Sequence, residues 1–345
     1  MADQNKFSSK LRGACILIIG GSAGVGYAVA EASIEQDAAA IIISSSNAKK
    51  AEKSVASLQS SYASKASRIS GIVCDLANEE ALERNIANLL NAAINGDTDR
   101  IHHGAYTAGD SPVPRALADV DLTYIKSMFL IRAFALLLFT KHARKHLAPG
   151  AGSSFTLTSG TASVRPIAGF PVLAAVTASV QGLAAALAVD FAPARVNVVS
   201  LGAVNTETLW SYLADRSPEE RAKLESIMNA STLTRSIGEP ADVAEAYIYC
   251  MRDNNVTGAS IDSTSGHILS KSRETRQAQG LDVNTMFAEV GWPISWMTRL
   301  TMISKSAEML WSTSAASGSG QSPARMRQNV RDPRIMDSHR WGPMQ

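Results

Sequence analysis

An α/β domain built on a doubly wound parallel sheet is the fold class this sequence predicts, and three observations predict it. Short apolar runs alternate with helix-like stretches from about residue 12 to 270. The first run, Cys15–Gly20, leads straight into a glycine-rich turn and an alanine-rich helical stretch. The runs are short and apolar, as expected of strands covered on both faces by βαβ crossovers.

Taken in order, CILIIG (15–20) is the first strand, and the alanine-rich segment 25–36 is its helix. IIIS (41–44) is the second strand, followed by a polar helical stretch at 48–61. RISGIVCD (68–75) precedes helical periodicity at 79–94, and IHHGAYTAG (101–109) precedes a long helix over 121–147. SFTLTS (154–159), a helix at 173–190, RVNVVS (195–200), a helix at 240–251 and a strand at 259–262 complete the series. The crossovers are expected to be right-handed. The pattern gives one domain, 12–270.

Beyond 270 the pattern changes. Residues 271–311 hold a helical extension, with apolar and tryptophan positions at 281–311 broken at Pro293. It reads as packing on the body, as a cover for the cleft, or as a protein or membrane interface. From Ser312 to 345 the chain is rich in Ser, Gly, Pro and Arg, the composition of a disordered tail.

The chain has 345 residues and a formal net charge of +2, so nothing points to a nucleic-acid partner. Cys15, Cys74 and Cys250 are widely spaced, in neither disulfide nor zinc-site spacing. The N-terminus lacks a secretory apolar region. The apolar stretch around Phe129–Phe139 is interrupted by Arg132 and falls short of the about 20 residues a membrane span needs. These features predict a cytoplasmic protein with no transmembrane segment.

The strongest motif is IIGGSAGVG at 18–26. Glycine is required where the backbone turns sharply and where pyrophosphate approaches the main chain, here at Gly20, Gly24 and Gly26. The helix opening near Val25 presents unpaired N–H groups to phosphate. After the second strand the chain reads SSSNAKK (44–50), without the carboxylate that holds a ribose 2′-hydroxyl in NAD sites. Ser46, Asn47, Lys49 and Lys50 instead offer donors suited to a 2′-phosphate, so NADP(H) is the expected cofactor. The lysines read equally as a solvated helix start. Asp75 reads as an acceptor for the adenine amino group, as the N-cap of the next helix, or as both.

GGSAGVG, CDL (74–76), TAG (107–109), RVNVVS and VTG (256–258), in this order, resemble the short-chain dehydrogenase/reductase family, a Rossmann-type fold, over about residues 12–270. IIGGSAGVGYAVA, TLTSG and LAVDFAPARVNVVSLGAVNTE further resemble a fungal secondary-metabolism subgroup that includes NADPH-dependent reductase/Diels–Alderases of indole-alkaloid pathways. The resemblance implies cofactor contacts from Ser22, Val25, Ser46, Asn47, Asp75, Arg132, Val204 and Thr206. A small-molecule substrate and homo-oligomer formation are part of the same expectation.

That family transfers hydride with a tyrosine, a lysine four residues later, a serine and an asparagine. Between TLTSG and RVNVVS this chain contains neither tyrosine nor lysine. The ungapped register puts Leu173 and Thr177 at the paired positions, Gly160 at the serine and Arg132 at the asparagine. Thr107 replaces the asparagine of the usual motif after the fourth strand. The alkaloid enzymes carry an aspartate after a proline in the next loop; here Pro166 is followed by Ile167. Phe170 reads as a cavity wall or a core aromatic. Ser159 and Arg132 are the candidate catalytic residues, the first to hydrogen-bond substrate and the second as a fixed positive charge; Thr161 shares the substrate role. Asp110 and Asp119–Asp121 read as loop or cap residues or as acids. His102 and His103, facing opposite ways, read as structural.

The expected activity is hydride transfer to an iminium, enone or carbonyl without the usual pair. The alternatives are an NADP-bound cyclase or isomerase with no net redox turnover, and a non-catalytic NADP-binding partner.

Overall fold

The computed structural model describes residues 6–8, 10–94, 100–211, 214 and 216–270. The expected extension at 271–311 and tail at 312–345 lie outside the described residues.

Seven strands form one parallel sheet: β1 (Cys15–Ile19), β2 (Ala40–Ser45), β3 (Ile69–Val73), β4 (His103–Tyr106), β5 (Ser154–Gly160), β6 (Arg195–Leu201) and β7 (Ser260–Ser263). Their order is β3-β2-β1-β4-β5-β6-β7. The chain builds outward from β1 to β3, then returns to β4 on β1's other side, pairing Ile19 with Tyr106. That reversal opens a crevice at the carboxyl ends of β1 and β4, where ligands bind in such sheets.

Side-chain alternation along each strand makes two cores. Ile16 and Ile18 of β1 and Ile41 and Ile43 of β2 pack with Val29, Tyr247 and Ile248, on α1 (Gly24–Glu35) and α9 (Pro240–Arg252). Leu17 and Ile19 face the other way, joining Tyr106, Phe139 and Phe155 under α3 (Leu82–Ile94) and α6 (Pro171–Asp190). Arg195 is 2% exposed. Its guanidinium donates to the carbonyls of Ala151, Cys250, Val256 and Met251, locking the end of α9 to the sheet.

The predicted polar helix at 48–61 is α2 (Ala48–Ser61), capped by Asn47. The single long helix predicted over 121–147 is interrupted. It runs as α4 (Leu122–Phe129), a π-helical turn at Leu130–Ala135 and α5 (Leu136–Ala143), ending in a 3-10 turn. Two further helices, α7 (Glu207–Ser211) and α8 (Pro218–Ala230), have no counterpart in the sequence prediction. A signal for α8 was present: Ser217 and Glu220 form a capping box around Pro218, the first residue of the helix.

Two helical stretches, Leu122–His146 and Pro171–Asp190, are long and apolar enough to cross a membrane by length and composition. The sequence reading took the apolar stretch around Phe129–Phe139, interrupted by Arg132, as too short; the helical stretch that holds it is longer. Phe139 and Leu187 on these stretches nonetheless sit in the sheet's core, which makes them covering layers of the α/β sandwich.

Candidate functional site

The phosphate turn lies where the fold predicts. Gly20 and Gly24 both have positive φ, which glycine adopts without strain. The glycines also answer to the protein's own backbone. A Cβ at Gly20 would stand 2.7 Å from the Ala108 nitrogen, and one at Gly26 2.4 Å from both the Gly20 oxygen and Thr107 Oγ1. Glycine thus lets the end of β4 press against the turn. Thr107 holds that contact by donating to the Ile19 carbonyl at 2.8 Å.

The start of α1 fits a phosphate. Its N-cap is Ala23, which supplies no side-chain hydrogen bond, and the first turn carries no acidic residue. Orphan N–H groups at a helix start, with the dipole behind them, are an anion site. Val25 is buried in the first turn and Gly24 faces Thr206, whose methyl would be 3.1 Å from an added Cβ. Thr206 accepts from the Leu209 nitrogen at 3.3 Å at the start of α7, and Val204 bridges to Gly238. The loop after β6 is thereby brought onto the phosphate turn.

The second-strand edge is a hydroxyl network. Ser22 donates to Ser45 at 3.0 Å, the Asn47 nitrogen to Ser45 at 3.3 Å, and Ser54 to the Ser22 carbonyl at 2.8 Å. Ser45, absent from the sequence candidates, is the hub. The signal was the strand itself, which runs one residue past the predicted 41–44. Asn47 Oδ1 accepts from the Lys50 nitrogen at 3.0 Å to cap α2, which commits its oxygen and leaves its amide N–H groups as donors. Ser46, Lys49 and Lys50 are exposed beside it. No carboxylate occurs from Ser44 to Lys50.

Asp75 corrects one expectation. It does not cap α3, which begins seven residues later at Leu82. Its carboxylate accepts from the Ala77 nitrogen at 2.9 Å in a local turn, and Asn78 accepts from the Ala81 nitrogen at 3.1 Å just before the helix. The tight bend after Cys74 carries the chain away before any helix can start.

Arg132 sits on the π turn, a feature that often marks functional sites. Its guanidinium lies over Gly109, 3.3 Å from where a Cβ would be, and Nη2 donates to the Asp110 carbonyl. Nη1 is buried with no partner among the described residues. Burial holds the basicity of Arg132 below the usual arginine value, and the Asp110 carboxylate partly offsets this. A buried donor without an acceptor is costly unless a ligand supplies one.

Ser159 takes a different part from the one expected. It is buried, and its hydroxyl donates to the Thr177 main-chain carbonyl at 2.8 Å, so its hydrogen is committed to α6. Gly160 is the neighbour that faces the helix side chains. A Cβ there would stand 3.6 Å from the Thr177 methyl, and Thr177 itself donates to the Leu173 carbonyl at 2.8 Å. Gly160 and Thr177, which the ungapped register sets against the family's serine and lysine, lie next to each other. Thr161 lies in the turn that follows, and neither β5, the following loop nor α6 contains a tyrosine or lysine.

Other candidates resolve into scaffold. His102 Nδ1 accepts from the Cys15 nitrogen at 3.1 Å, and buried His103 bonds Ser154 Oγ at 2.9 Å. Asp121 caps α4 and pairs with Arg115. Phe170 is buried at the α6 N-cap, a core aromatic. Ile167, at the position of the alkaloid enzymes' aspartate, is exposed, as are Val113, Leu117 and Val164 on the loops beyond β4 and β5.

The profile of the SDR-like Rossmann domain matches residues 7–270. The chain is 38% identical over 269 residues to the short-chain dehydrogenase/reductase malC of Malbranchea aurantiaca, covering 78% of this chain and 100% of that protein. It is 33% identical over 270 residues to fsr5 of Gibberella fujikuroi, covering 78% and 100%. The solved MalC reductase/Diels–Alderase superposes with a TM-score of 0.70, covering 76% and 99% of the two chains at 38% identity. A small-chain dehydrogenase in complex with NADPH shares the fold at 23% identity and a TM-score of 0.58, covering 74% and 99%. The chain belongs to the short-chain dehydrogenase/reductase family, among relatives that include fungal reductases of secondary metabolism.

Proposed function

We propose that this protein is an NADPH-dependent reductase of secondary metabolism, located in the cytoplasm, that passes hydride to a small hydrophobic substrate without a tyrosine–lysine pair. The observation that carries the reading is the joint state of two edges of one crevice. The uncapped start of α1 and the Ser22–Ser45–Asn47 network fit a phosphorylated dinucleotide. The facing Gly160 and Thr177 hold no group that could give a proton at neutral pH.

Ser22, Gly24 and Val25 would hold the pyrophosphate, and Ser46, Asn47 and Lys50 the 2′-phosphate. Asp75, Val204 and Thr206 would flank the adenine and nicotinamide ends. NADPH, when bound, would supply a hydride; an iminium carbon could accept it and become a neutral amine, leaving NADP+, so no residue of this chain would have to give a proton there. Arg132 serves as the electrostatic anchor of the substrate or nicotinamide amide, its buried Nη1 meeting a carbonyl oxygen. Ser159 acts by holding β5 against α6 beneath that site. The exposed Val113, Leu117, Val164 and Ile167 on neighbouring loops suit an apolar substrate.

The same reading includes a homo-oligomer, supported by the exposed small residues Ala175, Ala178, Gly182, Ala185 and Ala186 along α6. The second reading is an NADP-bound cyclase with no net redox change, favoured by the absence of a tyrosine or lysine from β5, the following loop and α6. One experiment separates them. The purified protein is incubated with NADPH and a cyclic iminium salt or enone, and the absorbance of the reduced nicotinamide is followed with the product. Product formed without loss of that absorbance would falsify the reductase reading.

A further inference from the structure

The sheet edge opposite the phosphate turn carries a second concave surface. At the amino ends of β4, β5 and β6 a cleft of about 330 Å³ opens, with Arg100, Arg144 and Lys145 around an apolar floor of Leu147, Phe191 and Pro193. That volume is at the lower end of the range for ligand pockets. The length of the strands, about 20 Å, separates it from the cofactor edge.

The walls are fixed. Arg100 Nη1 donates to the Lys145 carbonyl at 2.6 Å, the Ile101 nitrogen to the His146 carbonyl at 2.9 Å, and the Ala148 nitrogen to the Ile101 carbonyl at 2.8 Å. Leu147 and Phe191 belong to the core beneath α6, so the floor is part of the packed body. Among the described residues, Arg100, Arg144 and Lys145 take part in no ion pair, and the lining contains no carboxylate. Glu83, the acid serving α5, is taken by Lys141 and His142. Burial lowers the basicity of His146 behind the wall, and Lys145 and Arg100 lower it further, so the local potential is positive. A helix C-terminus attracts cations, which accounts for Arg144 and Lys145 following α5. It does not account for Arg100 arriving from another segment, or for a concave apolar floor between the charges.

We propose that this cleft is a second ligand site that binds a small amphipathic carboxylate. The apolar body lies on Leu147, Phe191 and Pro193, and the carboxylate is held by Arg144, Lys145 and Arg100. Guanidinium groups match a carboxylate's two oxygens. A bare inorganic anion would leave exposed Pro193 uncovered, whereas a short alkyl tail removes it from water, with buried Leu147 and Phe191 beneath.

The test is calorimetric titration of the full chain, saturated with NADPH, using octanoate as probe and octanol as its neutral control. The Arg144→Glu/Lys145→Glu double variant is titrated in parallel. Octanoate is expected to bind, octanol about tenfold more weakly, and the variant to lose octanoate affinity by about tenfold or more. The variant's circular dichroism and NADPH binding stay at parent values, because both residues are exposed and lie at the far edge. No octanoate binding, equal binding to parent and variant, or octanol binding as tightly as octanoate overturns the proposal. Arg144→Gln/Lys145→Gln gives the same readout if charge reversal prevents folding. Repeating the titration without NADPH makes the outcome independent of the cofactor assignment.

Discussion

The Ser159 hydroxyl donates to the Thr177 main-chain carbonyl at 2.8 Å, tying the last turn of β5 to the middle of α6. Both residues are buried, so the bond is shielded from water. Ser159→Ala is expected to lower stability by about 1 kcal/mol through loss of that bond. NADPH affinity should hold. Urea unfolding paired with a cofactor titration checks this. Unchanged stability with lost turnover would return Ser159 to the substrate side of the site.

Arg132 carries a buried donor, Nη1, with no partner among the described residues. Arg132→Met keeps much of the side-chain volume and removes the desolvated charge. Its thermal midpoint should equal or exceed the parent's, because a half-satisfied, desolvated guanidinium opposes folding. Turnover, or NADPH affinity if the arginine meets the nicotinamide, should fall by about tenfold or more. A large loss of stability would show that the Asp110 carbonyl contact outweighs the burial.

The proposed NADP(H) preference rests on the β2 edge. Ser46→Ala/Lys50→Ala is expected to weaken NADPH by about tenfold and leave NADH unchanged, since only the former carries the 2′-phosphate. Fluorescence titration of both nucleotides measures it. Equal losses for the two would refute 2′-phosphate recognition at these residues.

Two glycines should respond in opposite directions. A Cβ at Gly26 meets the Gly20 oxygen at 2.4 Å, a main-chain atom that cannot swing aside. Gly26→Ala should cost about 2 kcal/mol and impair cofactor binding. Gly182, within α6, has nothing within 4 Å of an added Cβ. Gly182→Ala should stabilise the helix by up to about 1 kcal/mol. Thermal melts of the two variants decide the matter.

Buried His103 has its basicity pushed down from 6.5 to about 3, first by burial and then by Arg195 and His102. Its folded value lies below its unfolded one, so the unfolded chain binds the proton first as pH falls. The neutral-side-chain stability is complete above pH 6.5 and is lost progressively from there toward about 3. Thermal midpoints across this window should decline, and His103→Gln should flatten the decline. Parallel profiles for parent and variant would assign the acid loss elsewhere, for instance to His146, whose basicity burial also lowers from 6.5. Asp37 is held below its usual 3.8 by the Arg68 hydrogen bond, so its contribution is lost only below 3.8.

The sequence by itself determined the strand series, the phosphate turn and the missing tyrosine and lysine. These are local: an apolar run between turn residues, glycines at fixed spacing, and residue types absent from one segment. It could not show that Ser45, rather than Ser46 alone, organises the second-strand edge, since that depends on Ser22 arriving from another loop. Nor could it fix the π turn that presents Arg132 over Gly109, or the spending of Ser159 on Thr177. α8 was legible through its capping box, while α7, five residues long, has too little periodicity to show. Residue chemistry is written along the chain, but which donor meets which acceptor is set by the packing of segments far apart in sequence. Only the tertiary structure decided that Gly160 lies against the Thr177 methyl, and that Arg132 Nη1 is left without a partner among the described residues.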